Sequence, residues 1–446
     1  MSRNIFWSTA VAVLLANPPG ALAASDTGPQ SINEQIRQLQ QSNARLEQRL
    51  QQDEDAAVQA PARGSAPPSS VNSFNPAVSM VLSGTYEQLQ RDPAIPVTGF
   101  AMSANNTGYT RGFSLQESEL GIAADIDPLF RGVGTFALAP EGGIAVENAF
   151  VQTSALGNGV NLEFGRFFSG LGYLNDQHSH VWDFVDQPLV YRVMWDNQLA
   201  EDGVQLKWLA PTDMFIEVGG ELGRGLGFPG TNRQKNGAGA GVLFAHFGDD
   251  VGIENSWRAG ISLHETRREN ALSSNVPDLA GTVGGVSDSF TGDSRTAGLD
   301  FVWKYSPNGN ISDRYLKVQS EYFQRRESGQ LTYDSTGAGI AGDYTDTQSG
   351  WYLQGVYQFM PDWRTGLRYD RLDSGTASVG APIAGDVISN YAFSPTRLTW
   401  MADYNASEFS RIRVQLAHDN SRQGLADNQL FVQYIMSLGA HGAHQY

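Results

Sequence analysis

The stretch "GLDFVWKYSP", residues 298–307, indicates the fold class. Leu299, Phe301, Trp303 and Tyr305 occupy alternate positions, and Asp300 stands between two of them. Successive side chains of a strand point to opposite faces, so one face is apolar and aromatic while the other carries charge. This alternation predicts a β-strand with one face toward lipid and the other toward water.

The same alternation recurs in "SWRAGISLHE" (256–265), "TRLTWMADY" (396–404) and "SRIRVQLAHD" (410–419). Aromatic residues repeatedly end the apolar face, as they do at a lipid interface, whereas a soluble sandwich would bury both apolar faces in one core. Short turns alternate with long connections at 172–202, 268–295, 327–347 and 373–393. We therefore predict an all-β transmembrane barrel over residues 78–446, with about sixteen antiparallel strands around an aqueous channel.

Composition excludes some classes of protein. The chain has 446 residues, no cysteine and a formal net charge of −17, which does not suit a strongly basic nucleic-acid binder. We therefore expect no nucleic-acid partner. Without disulfides, the fold must depend on hydrogen bonds and packing, and a closed barrel supplies both.

The N-terminal region has three expected parts. Residues 1–23 resemble a secretory signal, with Arg3, an apolar run and a small-residue site that predicts cleavage after Ala23. Residues 30–54 predict a coiled-coil helix, and residues 55–77 an Ala, Pro and Ser-rich linker. The coiled-coil seam comprises Ile32, Ile36, Leu39, Asn43, Leu46 and Leu50. We expect it to join copies of the chain; the alternative is one amphipathic helix packed on its own chain.

The segment "VENAFVQTSALGNGVNLEFGRFFSGLG" (146–172) resembles the trimeric outer-membrane porins, in particular the phosphate-selective and dicarboxylate-type branch with an N-terminal coiled coil. "NPAVSMVLSGTY", "GFSLQESELGIAADIDP" and "HSHVWDFVDQPLVYR" also resemble sequences labelled zinc-regulated TonB-dependent outer membrane receptors. Such a receptor needs a plug domain, whereas residues 24–77 give only coiled coil and linker. The resemblance therefore favours a passive porin.

A porin implies a Gram-negative outer membrane, contact with its lipid and a homotrimer whose coiled coils lie in the periplasm. The coiled coil would either space the trimer from peptidoglycan or only lock its assembly. The expected function is passive diffusion of small hydrophilic solutes or ions; the alternatives are selective zinc uptake and a structural tether between membrane and cell wall. No nucleophile or metalloprotease motif is present, so we do not expect an enzyme.

The resemblance places an inward-folding loop after the Gly-Arg-Phe strand, and residues 175–202 are strongly acidic. Its predicted constriction residues are Asp176, Asp183, Asp186, Arg192 and Asp196. Strand parity places a basic ladder on the lumenal face: Arg258, Lys304, Lys317, Arg364, Arg368, Arg397, Arg411 and Arg413. An acidic loop facing this ladder would create a transverse field, unless the basic residues only pair with lumenal carboxylates.

The loop also contains a candidate metal site. In extended backbone His178 and His180 would lie on one side, and Asp183 or Asp186 could complete a set of zinc ligands. The alternative is a polar loop packed on the barrel wall by Trp182 with its histidines hydrogen-bonded. A second pair, His441 and His444, should lie near the periplasmic rim. We expect no cofactor apart from this zinc hypothesis.

Overall fold

The structure is a computed structural model. It describes residues 76–102, 109–138, 142–154, 156–231, 234–274, 287–333, 335, 337, 339–380 and 393–439. The predicted signal peptide, the coiled coil, nearly all of the linker, and the His441 and His444 pair lie outside the described residues.

Strands account for most of the described chain. In chain order they are β1 (Ala77–Leu89), β2 (Gly112–Leu115), β3 (Ser118–Asp125), β4 (Phe130–Leu138), β5 (Ile144–Thr153), β6 (Val160–Phe168), β7 (Ala200–Leu209), β8 (Phe215–Gly223), β9 (Ala240–Val251), β10 (Asn255–Ser274), β11 (Ser287–Tyr305), β12 (Tyr315–Tyr333), β13 (Ile340–Met360), β14 (Trp363–Asp373), β15 (Ser378–Val379), β16 (Thr396–Ser407), β17 (Ser410–Asn420) and β18 (Asp427–Gly439). The described helices are 3-10 turns at Ser179–Val181 and Pro307–Gly309 and one α-helix, α1 (Leu189–Trp195). Among the described residues, no helix is long and apolar enough to cross a membrane.

The sheet closes on itself because the first and last strands pair. β1 runs antiparallel to β18 from Ser79 opposite Gly439 to Leu89 opposite Gln429. Its other edge pairs with β2 and then β3, which fill one place in the wall and are separated by residues 116–117. β15 is a short addition to β13. The described strands thus form a closed antiparallel barrel of sixteen wall strands, which confirms the predicted fold class.

Strand parity separates an apolar exterior from a polar interior. Leu299 and Phe301 of β11 are 56% and 46% exposed, whereas Asp300 between them is 5% exposed. The same holds in β16, where Leu398 is exposed and Arg397 is buried. A closed barrel leaves no unpaired strand edge, and apolar side chains around its exterior suit the hydrocarbon of a bilayer.

Two predicted loops are strand instead. β10 and β11 extend through most of the described part of residues 268–295. β12 ends at Tyr333 and β13 begins at Ile340, so both strands extend into residues 327–347. The loop interpretation was wrong because it depended on an apolar exterior face. These strand ends expose polar residues such as Arg295 and Arg326, whereas their apolar residues Phe290, Leu331 and Tyr344 are buried. Backbone hydrogen bonds between strands do not need an apolar exterior face. Arg267 of β10, for example, is the register partner of Asp293 of β11.

Candidate functional site

The connection between β6 and β7, residues 169–199, folds into the barrel lumen, and we call it the lumenal loop. All seven residues of its helix α1 are buried. Pro188 precedes the helix, and Asp196 ends it in the left-handed conformation with φ 53°. An aspartate tolerates this conformation better than most residues, so Asp196 has a structural position at the helix end.

An apolar cluster fixes the lumenal loop against the barrel wall. Trp195 packs edge-on against Phe323 of β12, with ring centroids 4.6 Å apart. Leu189, Val193 and Met194 of α1 are fully buried in the same cluster. Its wall members come from strands β9, β12, β13 and β14: Val242, Phe244, Phe323, Tyr352 and Leu372. The loop therefore has its own hydrophobic core inside a largely polar lumen.

Asp186 is the main ionic anchor of the loop. Arg368 donates from Nη2 to Oδ1 of Asp186 at 2.8 Å and from Nη1 to its backbone oxygen at 2.7 Å. Arg397 and the Tyr109 hydroxyl donate to the other carboxylate oxygen, and Gln415 Nε2 donates to Oδ1 at 3.0 Å. Arg192, which stacks on Tyr109 with its guanidinium 4.7 Å from the ring centre, belongs to the same network.

Asp183 is the second anchor. It forms ion pairs with Lys317 of β12 and, at 3.3 Å, with Nη1 of Arg364 of β14. Arg364 also pairs with Asp403 of β16, and Arg413 holds that carboxylate at 2.7 and 3.1 Å. Asp183 thereby ties the loop directly to β12 and β14, and indirectly to β16 through Arg364.

The pKa values of the loop aspartates follow from these contacts. Burial alone raises the pKa of Asp186, but attraction to Arg397 and Arg368 outweighs it and holds the pKa far below the usual 3.8. Burial likewise raises the pKa of Asp183, and Lys317 and Arg364 reverse the shift. Burial raises the pKa of Tyr109 well above its usual range, so its hydroxyl keeps the proton that it donates to Asp186.

The predicted ladder therefore contacts the predicted acidic wall directly. Arg413 donates from Nη2 to the backbone oxygen of Trp182 at 2.9 Å, and Arg411 reaches the oxygens of His180 and Trp182 at 3.4 and 3.5 Å. Arg258 lies over the Tyr173 ring at 5.2 Å. Asp183 and Asp186 form direct ion pairs with the ladder instead of facing it across an open gap. The transverse field remains a prediction.

A cavity of about 1310 Å³ lies between the lumenal loop and the end of the barrel with the short turns. Turn residues Gly252 and Asn308 line its outer part. Deeper charged lining residues are Asp176, Asp183, Glu119, Lys304, Lys317 and Arg364. Asp176 and Lys304 can therefore contact a solute in the cavity.

The histidines do not meet the predicted carboxylates. Nδ1 of His178 lies 3.1 Å from Oε2 of Glu147 and 3.3 Å from Oε2 of Glu119, and Nδ1 of His180 lies 2.9 Å from Oε1 of Glu119. The expectation that Asp183 or Asp186 would complete the ligand set was wrong, because arginine and lysine already hold both.

Glu147 was missed as a partner because it is the extra residue of a β-bulge. In the pairing of β4 with β5, Thr135 faces Asn148 while Phe136 faces Val146. A bulge redirects a side chain and breaks the simple alternation of faces. The glutamate of "VENAF" was visible in the sequence, but nothing there marked the bulge.

A comparison with a solved structure agrees with the barrel. OmpTΔL8, a loop-deletion mutant of an outer membrane protein of Vibrio cholerae, shares the fold with a TM-score of 0.50 and 14% identity, over 81% of this chain and 99% of that one. OprB of Pseudomonas putida aligns with a TM-score of 0.49 and 12% identity, over 82% of this chain and 94% of that one. No family model matches the sequence.

A sequence relative defines the family. An uncharacterized protein of Aquifex aeolicus (strain VF5) is 30% identical over 363 residues, which span 75% of this chain and 70% of that protein. The chain belongs to the same family as this Aquifex protein.

Proposed function

We propose that this protein is an outer-membrane porin through which small hydrophilic solutes or ions diffuse passively, without enzymatic activity. The observation that carries the proposal is the lumenal loop, which packs inside a closed barrel, where it would narrow a water-filled passage. The apolar exterior supports the membrane location, and the polar interior supports a hydrated path. The short turns would face the periplasm, as they do in bacterial outer-membrane barrels.

The anchored loop would set the pore by its shape. Since Asp183 and Asp186 are bound to basic residues, their charges are compensated, and the pairs hold the loop in one position. Ion preference would depend on charged groups that also face the cavity, among them Asp176 and Lys304. Selection would then combine a size limit at the loop with a local field in the cavity.

We propose a homotrimer in which residues 30–54 form a periplasmic coiled coil. The support is the heptad pattern of the sequence. In the trimer each barrel keeps its own pore, and the coiled coils either contact peptidoglycan or lock the assembly. The metal-uptake alternative gains no support from the comparisons.

Liposome swelling tests the proposal. Purified, folded protein is placed in liposomes, and swelling is measured in sugars of increasing size, with protein-free liposomes as the control. We expect swelling that falls as solute size rises, because the loop limits the passage. A structural tether would leave the liposomes as tight as the control, and that result would contradict the porin proposal.

A further inference from the structure

Strands β3 and β5 and the start of the lumenal loop bring together Glu119, Glu147 and His178. One ligand atom from each residue lies within 4.8 Å of the others. We propose that these three side chains bind one divalent transition-metal ion of the zinc class, with water completing the coordination. Two carboxylates and one imidazole are suitable zinc ligands.

The distances around His178 fit such an ion. Its Nδ1 lies 3.1 Å from Oε2 of Glu147 and 3.3 Å from Oε2 of Glu119. In tetrahedral coordination with bonds of about 2.0–2.1 Å, neighbouring ligand atoms are about 3.3–3.4 Å apart. A neutral imidazole can donate a single proton from Nδ1, so hydrogen bonding satisfies one of these contacts fully, whereas a bound cation satisfies both.

The local charge also favours a cation. Three carboxyl groups lie close together here: Oγ of Ser179 is 3.4 Å from an oxygen of Glu117 and from an oxygen of Glu119, and Nδ1 of His178 contacts both Glu119 and Glu147. Within the described part of the chain, Glu147 has an ion pair with His178 alone, and Glu117 has none with lysine or arginine. Neighbouring carboxylates repel unless a proton or a cation lies between them. A divalent ion would supply the missing positive charge.

The surrounding groups form an outer shell and an entry route. Nδ1 of His180 lies 2.9 Å from the second oxygen of Glu119 and can orient that carboxylate. The His178 and His180 rings are stacked, with centroids 5.8 Å apart. Glu119, His178 and His180 line the large cavity, so a hydrated ion can reach the ligands from the short-turn end.

Asn148 provides a way to tune the site. Its Nδ2 faces Nε2 of His178 at 3.1 Å, while its Oδ1 accepts the backbone N–H of Phe168 at 3.2 Å. When Nδ1 binds a metal ion, the imidazole proton is on Nε2. The Nε2–H group then needs a hydrogen-bond acceptor, whereas the amide NH2 of Asn148 is a donor. Asn148→Asp would supply that acceptor and keep the contact to Phe168.

Zinc binding to the full-length protein tests the proposal without any measurement of transport. The protein carries His441→Ala and His444→Ala to remove the C-terminal pair, is stripped with a chelator, and is titrated with zinc chloride in a calorimeter. We expect one ion per chain. His178→Ala and Glu147→Gln should each weaken binding at least about tenfold, the loss typical of a ligand or its support, and Asn148→Asp should strengthen it.

His246 gives a matched control. Its Nδ1 lies 3.1 Å from Oε1 of Glu217, which reproduces the contact of His178 with Glu147 on another part of the wall. His246→Ala should leave the zinc affinity unchanged. Heat-modifiable gel mobility checks that each variant is folded, and cobalt absorption of the unsubstituted site reports tetrahedral coordination.

Absence of saturable zinc binding in the folded background protein would overturn the proposal. Equal affinity in the background protein, His178→Ala and Glu147→Gln would also overturn it. Because these outcomes do not involve conductance, the metal site and the porin proposal can fail separately.

Discussion

Arg368 holds Asp186 by both its side chain and its backbone, with Nη2 2.8 Å from Oδ1 and Nη1 2.7 Å from the backbone oxygen. Both residues are almost fully buried. One guanidinium on β14 therefore fixes the position and the direction of the lumenal loop just before α1. The width of the passage should depend on this pair.

Arg368→Gln should loosen the loop. Removing one partner of a buried ion pair costs about 3–5 kcal/mol when the remaining charge is left without compensation. Asp186 would keep Arg397 as a partner, so we expect a smaller loss here. We expect a lower unfolding midpoint and a larger, noisier single-channel conductance. Denaturant titration and planar-bilayer recording measure the two effects.

Arg166→Gln is the matched control for that prediction. Arg166 forms a two-point ion pair with Asp202, at 2.6 and 3.0 Å, but its side chain is 37% exposed. An exposed pair contributes about 1 kcal/mol or less. If Arg368→Gln and Arg166→Gln change conductance equally, the anchor role of Arg368 is wrong.

The docked loop should resist acid. A carboxyl group with a lowered pKa in the folded protein stabilises the fold above its usual pKa, and this contribution is lost only as pH falls through the lowered value. For Asp186 the usual value is 3.8 and the folded value lies far below it. Wild-type conductance should therefore show no loop release from about pH 8 to about pH 4.

Arg397→Gln should make the pore acid-sensitive. Without Arg397, less positive charge opposes the effect of burial, so the pKa of Asp186 rises. Protonation of Asp186 and release of the loop therefore begin at a higher pH than in the wild type. Bilayer recordings across a pH series compare the two proteins. Identical pH profiles would show that Asp186 does not control docking.

Gly172→Ala should disturb the start of the loop. Gly172 has φ +66°, and an added Cβ would lie 2.3 Å from Oε2 of Glu321. That carboxylate accepts the backbone N–H groups of Tyr173 and Leu174 at 2.9 and 3.2 Å and the Tyr191 hydroxyl at 2.7 Å. We expect a loss of stability, measured by denaturant titration, and a larger pore.

Gly157→Ala separates the clash from backbone strain. Gly157 has φ +74°, but an added Cβ would have no neighbour within 4 Å. Both substitutions carry the backbone cost of about 1–3 kcal/mol. The extra loss in Gly172→Ala therefore measures the clash with Glu321 and the Tyr191 hydroxyl. Equal losses would argue against a docking role for this turn.

The sequence predicted the wall better than the lumen. Alternation in "GLDFVWKYSP" was sufficient because each strand reports its own two faces, and about sixteen strands were expected. Alternation could not show that Asp186 binds Arg368. It predicts the face to which a strand side chain points, but it does not predict how far a loop reaches across the lumen. The bulge at Glu147 breaks parity, and the ends of the long hairpins carry no apolar exterior face to detect.

The coiled-coil prediction concerns assembly. Deletion of residues 31–52 should weaken the trimer on unheated gels, because a three-heptad seam stabilises association and a single helix of that length is marginal. Deletion of linker residues 55–76 is the length-matched control. Unchanged trimer stability after deletion of 31–52 would contradict the proposed role.

Single-channel recording of the purified, folded wild-type protein in a planar bilayer tests the central claim most directly. The account predicts discrete conductance steps, with current proportional to voltage, and a reversal potential in a KCl gradient that reports the charge of the cavity. Absence of any step from protein shown to be folded by its heat-modifiable gel mobility would contradict a passive channel.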